Sequence, residues 1–244
     1  MVHLTARDGA ALAWIGEQYA VRADVAAVLL GSLSPPTLHV SRTSRPRAST
    51  ATLSHRTLRV QLDRWERAGL VLRERLYGRT WIIPTAAGLA FAGLPYPPWR
   101  PAWSRLAHVH AVSMVRLALE AEHPDLRERW ISERALAWKR RQEAGVWHLP
   151  DGAIEVPAPA DRPQLEQALL AVEVELTPKS RHNLAEVIKT LTGNTVTVVY
   201  FTPVDDVERL QLALAKLVTG RRPPLSVQVQ PLPEVAGLAY EGER

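Results

Sequence analysis

His148-Leu149-Pro150-Asp151-Gly152-Ala153-Ile154, and further on Ala171-Val172-Glu173-Val174-Glu175-Leu176-Thr177-Pro178-Lys179, decide how the chain is read. Each segment reads as a strand. The first is bounded by Pro and Gly. The second puts Val172, Val174 and Leu176 on one face and Glu173 and Glu175 on the other, the period of two that a pleated strand imposes. If the two strands are neighbours, the carboxylates of Asp151, Glu173 and Glu175 converge, with Lys179 just beyond. Crowded carboxylates repel one another unless a positive group stands among them, and oxygen donors suit a hard cation such as Mg²⁺. Such a centre can polarise a phosphodiester and deprotonate a water. The ordinary alternative is that Glu173 and Glu175 form the solvated face of an edge strand.

Pro150-Asp151 followed by Glu173-x-Glu175 and a nearby lysine resembles the PD-(D/E)xK nuclease signature. The chain departs from it in carrying Glu175 where the signature has lysine; an ExE version occurs in some members of that superfamily. Lys179 lies too far along a straight strand to fill the lysine position by itself. The resemblance implies Asp151 and Glu173 as ligands of Mg²⁺, and Glu175 or Lys179 as the group that orients the attacking water. It also implies an additional acidic residue on a preceding helix, for which Glu133 is the candidate. Glu133 reads equally as the acid favoured in a helix's first turn.

The rest of the chain sets the context. With 244 residues, 46% hydrophobic and 23% charged, it has the composition of two globular domains rather than of a disordered chain. It has no cysteine, which excludes disulfides and thiolate metal sites. No apolar run approaches the roughly 20 residues of a membrane span, and no signal peptide is recognisable. The expectation is a soluble, cytoplasmic protein with no membrane partner. Charge is uneven: residues 1–100 hold 13 Arg, no Lys and 6 acidic residues, a net of +7, and the remainder nets −2. The basic excess of the first part suits a polyanion.

Residues 10–19 and 22–30 have the apolar spacing of two short helices closed by Gly31, and residues 32–50 read as a basic, proline-bearing loop. A third helix over 51–68 places Leu58, Leu62 and Trp65 on one side and Arg56, Arg59, Asp63 and Arg67 on the other. Residues 70–83 read as a hairpin around Tyr77-Gly78, bearing Arg73, Arg75 and Arg79. Three helices and a basic hairpin are the plan of a winged helix-turn-helix, whose third helix enters the major groove of duplex DNA while the wing lies along phosphates. The expected DNA contacts are therefore Arg56, Arg59, Arg67, Arg73, Arg75 and Arg79.

A proline-rich stretch, 96–101, separates this domain (1–95) from a second (102–244). His108 and His110 sit in a helical pattern, where positions two apart diverge by about 200°, so they do not form a paired metal site. Residues 130–133 read as the start of another helix. The pattern from 102 onward is α-α-β-β-α-β-α-β, giving an α+β chain whose second domain has a mixed central sheet.

Taken together, residues 62–71, 130–133, 148–152 and 173–180 resemble the replication-relaxation family of plasmids and integrative elements. That resemblance implies a winged helix joined to a nuclease-like domain, and a role in DNA relaxation, replication or transfer. A metal-dependent endonuclease is the leading expectation; a non-catalytic DNA-binding regulator or initiator is the alternative. A second copy of the chain, and other replication or transfer proteins, are the further partners this role admits.

Overall fold

A reciprocal cap starts the first helix: Thr5 Oγ1 accepts from the Asp8 N–H, and the Asp8 carboxylate accepts from the Thr5 N–H at 2.7 Å. The computed structural model describes residues 3–34, 52–100, 102–141, 148–160, 165, 168–191, 194–219, 225–235 and 238. The expected basic loop over 32–50 lies, from residue 35 on, outside the described residues. The chain is α+β, with two sheets, and divides into two compact units, residues 1–113 with 235–239 and residues 114–234 with 240–244.

In the first unit, α1 (Ala6–Glu17) is followed by the two-residue strand β1 (Val21–Arg22) and α2 (Ala23–Ser32). Gly31 lies inside α2 rather than closing it, because Ser32 and Leu33 carry the last turn. Next come α3 (His55–Arg67), capped by the Ser54 hydroxyl, then β2 (Val71–Leu76), β3 (Arg79–Pro84) and α4 (Ala86–Phe91). The three strands form an antiparallel sheet in the order β1-β3-β2. Tyr77 and Gly78 both have positive φ, 48° and 70°, the turn geometry that matches strand twist in a two-residue hairpin. Glycine adopts it without strain; Tyr77 does not.

The apolar face of α3 is buried at Leu58, Leu62 and Trp65. Trp81, Leu76 and Ile83 of the hairpin pack with Ala20, Leu106 and Val109. The proline-rich stretch belongs to this unit rather than standing outside it. Trp99 packs against Tyr19 with ring centroids 5.6 Å apart, and Trp103 meets Tyr77 edge-on at 5.3 Å.

The boundary between the units falls within α5 (Leu106–Glu122), which carries His108 and His110 as helical residues. The second unit continues with α6 (Leu126–Arg129), β4 (Trp130–Ser132), α7 (Glu133–Arg140), β5 (Gly152–Val156), β6 (Ala168–Val174), α8 (Arg181–Thr190), β7 (Thr195–Thr202), α9 (Val207–Val218) and β8 (Ser226–Pro231). Residues 130–132 are a strand, not the beginning of a helix. They pair antiparallel with β5, Trp130 opposite Ile154, and the helix starts only at Glu133, after the Ser132 cap. The aromatic and β-branched character of Trp130 and Ile131 favours the pleat once a partner strand is present.

The five strands form one mixed sheet, β4-β5-β6-β7-β8, antiparallel up to β6 and parallel from β6 to β8. β6 is the middle strand. Ala171, Val198 and Tyr200 pack beneath Leu184 and Ile188 of α8 and Leu210 and Leu214 of α9. Gly152 opens β5 because a Cβ there would stand 2.1 Å from the Trp130 ring; only glycine lets the strands meet at this point. No helix among the described residues is long and apolar enough to cross a membrane.

Candidate functional site

The end of β6 and the start of β5 bring together the acids singled out in the sequence. Gly152 pairs with Val172, which places Asp151 beside the end of β6. The Val174 N–H donates to Asp151 Oδ2 at 2.8 Å. Glu173, on the middle strand, is 2% exposed, and its Oε1 lies 2.7 Å from His148 Nε2. Glu175 is 5% exposed and is tied to β7 through its backbone: its N–H donates to Phe201 O, and its carbonyl accepts from the Thr202 hydroxyl. The reading of Glu173 and Glu175 as a solvated edge is therefore wrong, since their strand is central and both side chains are buried.

Lys179 reaches the cluster because the chain leaves the strand after Val174 and bends at Leu176 and Thr177, returning Nζ to 2.6 Å from Glu175 Oε2. The straight-strand objection to this lysine does not apply once the chain turns. Glu133 is linked to the site by its backbone, its N–H facing Asp151 O at 3.4 Å, and its carboxylate stands in the first turn of α7.

The electrostatics follow from burial. Loss of water raises the proton affinity of Glu173 well above the usual carboxylate range, Asp151 pushes the same way, and His148 and Lys179 oppose. Burial also works against charge on His148, but the hydrogen bond to Glu173 and the attraction of Glu173 and Asp151 outweigh it, so His148 holds its proton more tightly than a free imidazole. Burial opposes charge on Lys179 too, and Glu175 outweighs it. Among the described residues, no three His, Cys, Asp or Glu side chains are grouped so as to hold a metal ion.

Two members of this constellation are not evident from the sequence. His148 opens the organising stretch, yet nothing in its spacing pairs it with Glu173. Tyr200 lies within a run of β-branched and aromatic residues that reads only as core, but it pairs in register with Glu173 on the neighbouring strand.

In the first unit, Arg56, Arg59 and Arg67 are exposed on α3, and Arg75 and Arg79 are exposed on the hairpin. Arg67 Nε donates back to Asp63 O at 3.1 Å. Arg73 is different. It pairs with Asp63 at 2.7 Å and with Glu66, so it ties the hairpin to α3 instead of pointing outward to a phosphate. Asp8 and Asp24 are likewise engaged by Arg64 and Arg22. Asp8, Asp24, Asp63 and Glu66 are thus held in internal pairs, and among the described residues of this unit the exposed charge is mostly arginine.

Comparison with protein-family models, with curated proteins and with solved structures gave no match.

Proposed function

We propose that this chain is a DNA-binding, Mg²⁺-dependent endonuclease that nicks duplex DNA in the replication or transfer of a mobile element. On this reading the first unit is a winged helix and the second a PD-(D/E)xK-like domain. The observation that carries it is the convergence of the carboxylates of Asp151, Glu173 and Glu175 at one end of the central strand. Lys179 lies 2.6 Å from Glu175 and His148 lies 2.7 Å from Glu173, so a cation and a titratable base stand among the three acids. All the donors are hard oxygens, the chemistry that fits Mg²⁺.

Asp151 and Glu173 would hold the cation, which when bound supplies a Lewis acid for the phosphate and lowers the proton affinity of water. Lys179 places a positive charge next to the phosphate oxygens. Glu175 takes the proton of the attacking water as its oxygen bonds to phosphorus. The bond from phosphorus to the leaving sugar oxygen breaks, and that oxygen takes a proton from solvent. The first unit supports the DNA part of the reading: helix, short strand, two helices and hairpin follow in winged-helix order, and α3 presents Arg56 and Arg59 to solvent.

A second reading, a non-catalytic DNA-binding regulator, is favoured by one observation. Each carboxylate already has a partner within the protein: the Val174 N–H for Asp151, His148 for Glu173 and Lys179 for Glu175. Incubation with supercoiled plasmid, in Mg²⁺ and in EDTA, decides between the two. The expected result is a nicked product with Mg²⁺ alone, and none from Asp151→Asn. Folded, DNA-bound wild type that leaves the plasmid intact across metals and sites would establish the regulator.

A further inference from the structure

Tyr200 has no exposed surface, and its ring packs among Leu184, Ile188, Leu210 and Leu214. Its hydroxyl, also buried, has no hydrogen-bond partner among the described residues. A phenol buried without a partner loses its hydration with nothing in return, and phenylalanine would fill the same apolar space without that penalty. The hydroxyl is therefore the feature that needs a reason. Register supplies its location: Tyr200 stands directly beside Glu173 on the adjacent parallel strand, on the sheet face that α8 and α9 cover. Burial raises the proton affinity of the phenol, and Glu173, Glu175 and Asp151 raise it further, so it stays an O–H donor.

We propose that the Tyr200 hydroxyl and the carboxylates of Asp151, Glu173 and Glu175 form a site for a single water, and that Tyr200 is the positioning residue for the water that attacks the phosphodiester. A buried water needs two to four polar partners, and this group supplies one donor and several acceptor oxygens. A neutral phenol is too weak a base to take the water's proton. Its role is orientation: accepting from or donating to the water fixes a lone pair toward phosphorus, while a carboxylate accepts the proton.

The inference rests on the nuclease reading, and Tyr200→Phe in the full chain separates the two. Thermal unfolding without metal tests the water site. A held water makes the hydroxyl favourable, so the variant melts about 2–4 °C lower; an unchanged or higher Tm would overturn the site. Plasmid nicking tests the positioning role. The expected result is a kcat about 10- to 100-fold lower with the KM for DNA unchanged. A variant with lower Tm but wild-type kcat would overturn the positioning role and leave the nuclease reading standing. Wild type that binds DNA but never nicks would overturn that reading and, with it, the positioning role. The Tm comparison is unaffected by that outcome.

Discussion

The indole N–H of Trp65 donates to Oδ1 of Asp8 at 3.0 Å, and neither residue has any exposed surface. The same oxygen accepts from Gln61 at 2.8 Å and from Arg64 at 2.6 Å, while Oδ2 holds the cap of α1 through Thr5. One carboxylate thereby fastens α1 to α3, the helix proposed to meet DNA.

Burial pushes the Asp8 carboxyl up, but the Thr5 bonds, the Trp65 N–H and the Arg64 charge outweigh it and hold it below the usual carboxylate range. Asp8→Ala leaves Trp65, Gln61, Arg64 and both the N–H and the hydroxyl of Thr5 without their acceptor. The expected loss is about 3–5 kcal/mol, the range for breaking a buried charged network. Denaturant unfolding of the variant measures it, and a loss below about 1 kcal/mol would mean that the donors find other partners. With a depressed folded pKa, this stabilisation is complete above the unfolded value of 3.8 and is lost as pH falls through the lower, folded one.

His110 gives a separate pH window. It is buried, and Arg22 lies 3.0 Å from its Nε2; a guanidinium only donates, so Nε2 accepts and the proton sits on Nδ1. Burial lowers its pKa to about 4, Arg22 and Arg79 push the same way, and Asp24 opposes. Between the unfolded value of 6.5 and about 4 the unfolded chain binds the extra proton, so stability rises with pH across that window and is lost as pH falls through it. The full effect is about 3 kcal/mol. Unfolding at pH 4.5 and 7 should show a smaller difference for His110→Gln than for wild type. Equal differences would place the pH dependence elsewhere.

These two residues also show where sequence reading stops. Helical spacing gives α3 and its buried Leu58, Leu62 and Trp65, because a periodic apolar face is a local pattern. It does not give Asp8, which reads as a first-turn acid until α3 is folded against it. In the same way, the carboxylates of β5 and β6 are visible as strand residues, and the alternation puts Glu173 and Glu175 on one face. That β6 is the central strand, that residues 130–132 pair as β4, and that Tyr200 falls beside Glu173 all depend on which strands become neighbours. Lys179 depends on a bend that no period encodes. Arg73 looked like a wing arginine because its partners, Asp63 and Glu66, are separated from it by the turn at Gly69.

Arg73 and the exposed arginines of α3 should therefore part company under mutation. Arg73→Ala removes a partly exposed pair of ion contacts, expected to lower stability by about 0.5–1 kcal/mol. It should leave duplex affinity within about twofold. Arg56→Ala and Arg59→Ala should leave the melting curve unchanged and weaken duplex binding, by about 1–3 kcal/mol for the cognate base if either reads a guanine edge. Fluorescence anisotropy with duplex DNA, beside thermal melts of the same samples, compares the three. Strong loss of affinity in Arg73→Ala at unchanged stability would return that residue to the DNA face.

The Glu175–Lys179 contact separates stability from catalysis. Glu175 is buried, whereas the Lys179 side chain is 35% exposed, so solvent screens one partner and not the other. Lys179→Ala strands a carboxylate beside Glu173 and Asp151. The expected cost is about 1 kcal/mol, below the 3–5 of a fully buried pair because water reaches the vacated position. Glu175→Gln removes one of three like charges and frees Lys179 to turn into solvent, so its stability should stay within about 0.5 kcal/mol of wild type. The double variant should then recover most of what Lys179→Ala loses, a coupling that a double-mutant cycle reads directly. Nicking should behave otherwise: Lys179→Ala is slow, Glu175→Gln, which removes the acceptor of the water's proton, is slower still, and the double variant regains stability without regaining rate. Strictly additive stabilities would mean that the 2.6 Å contact carries no coupling in solution. Recovery of rate along with stability would make Lys179 a structural counter-charge and take it out of the proposed chemistry.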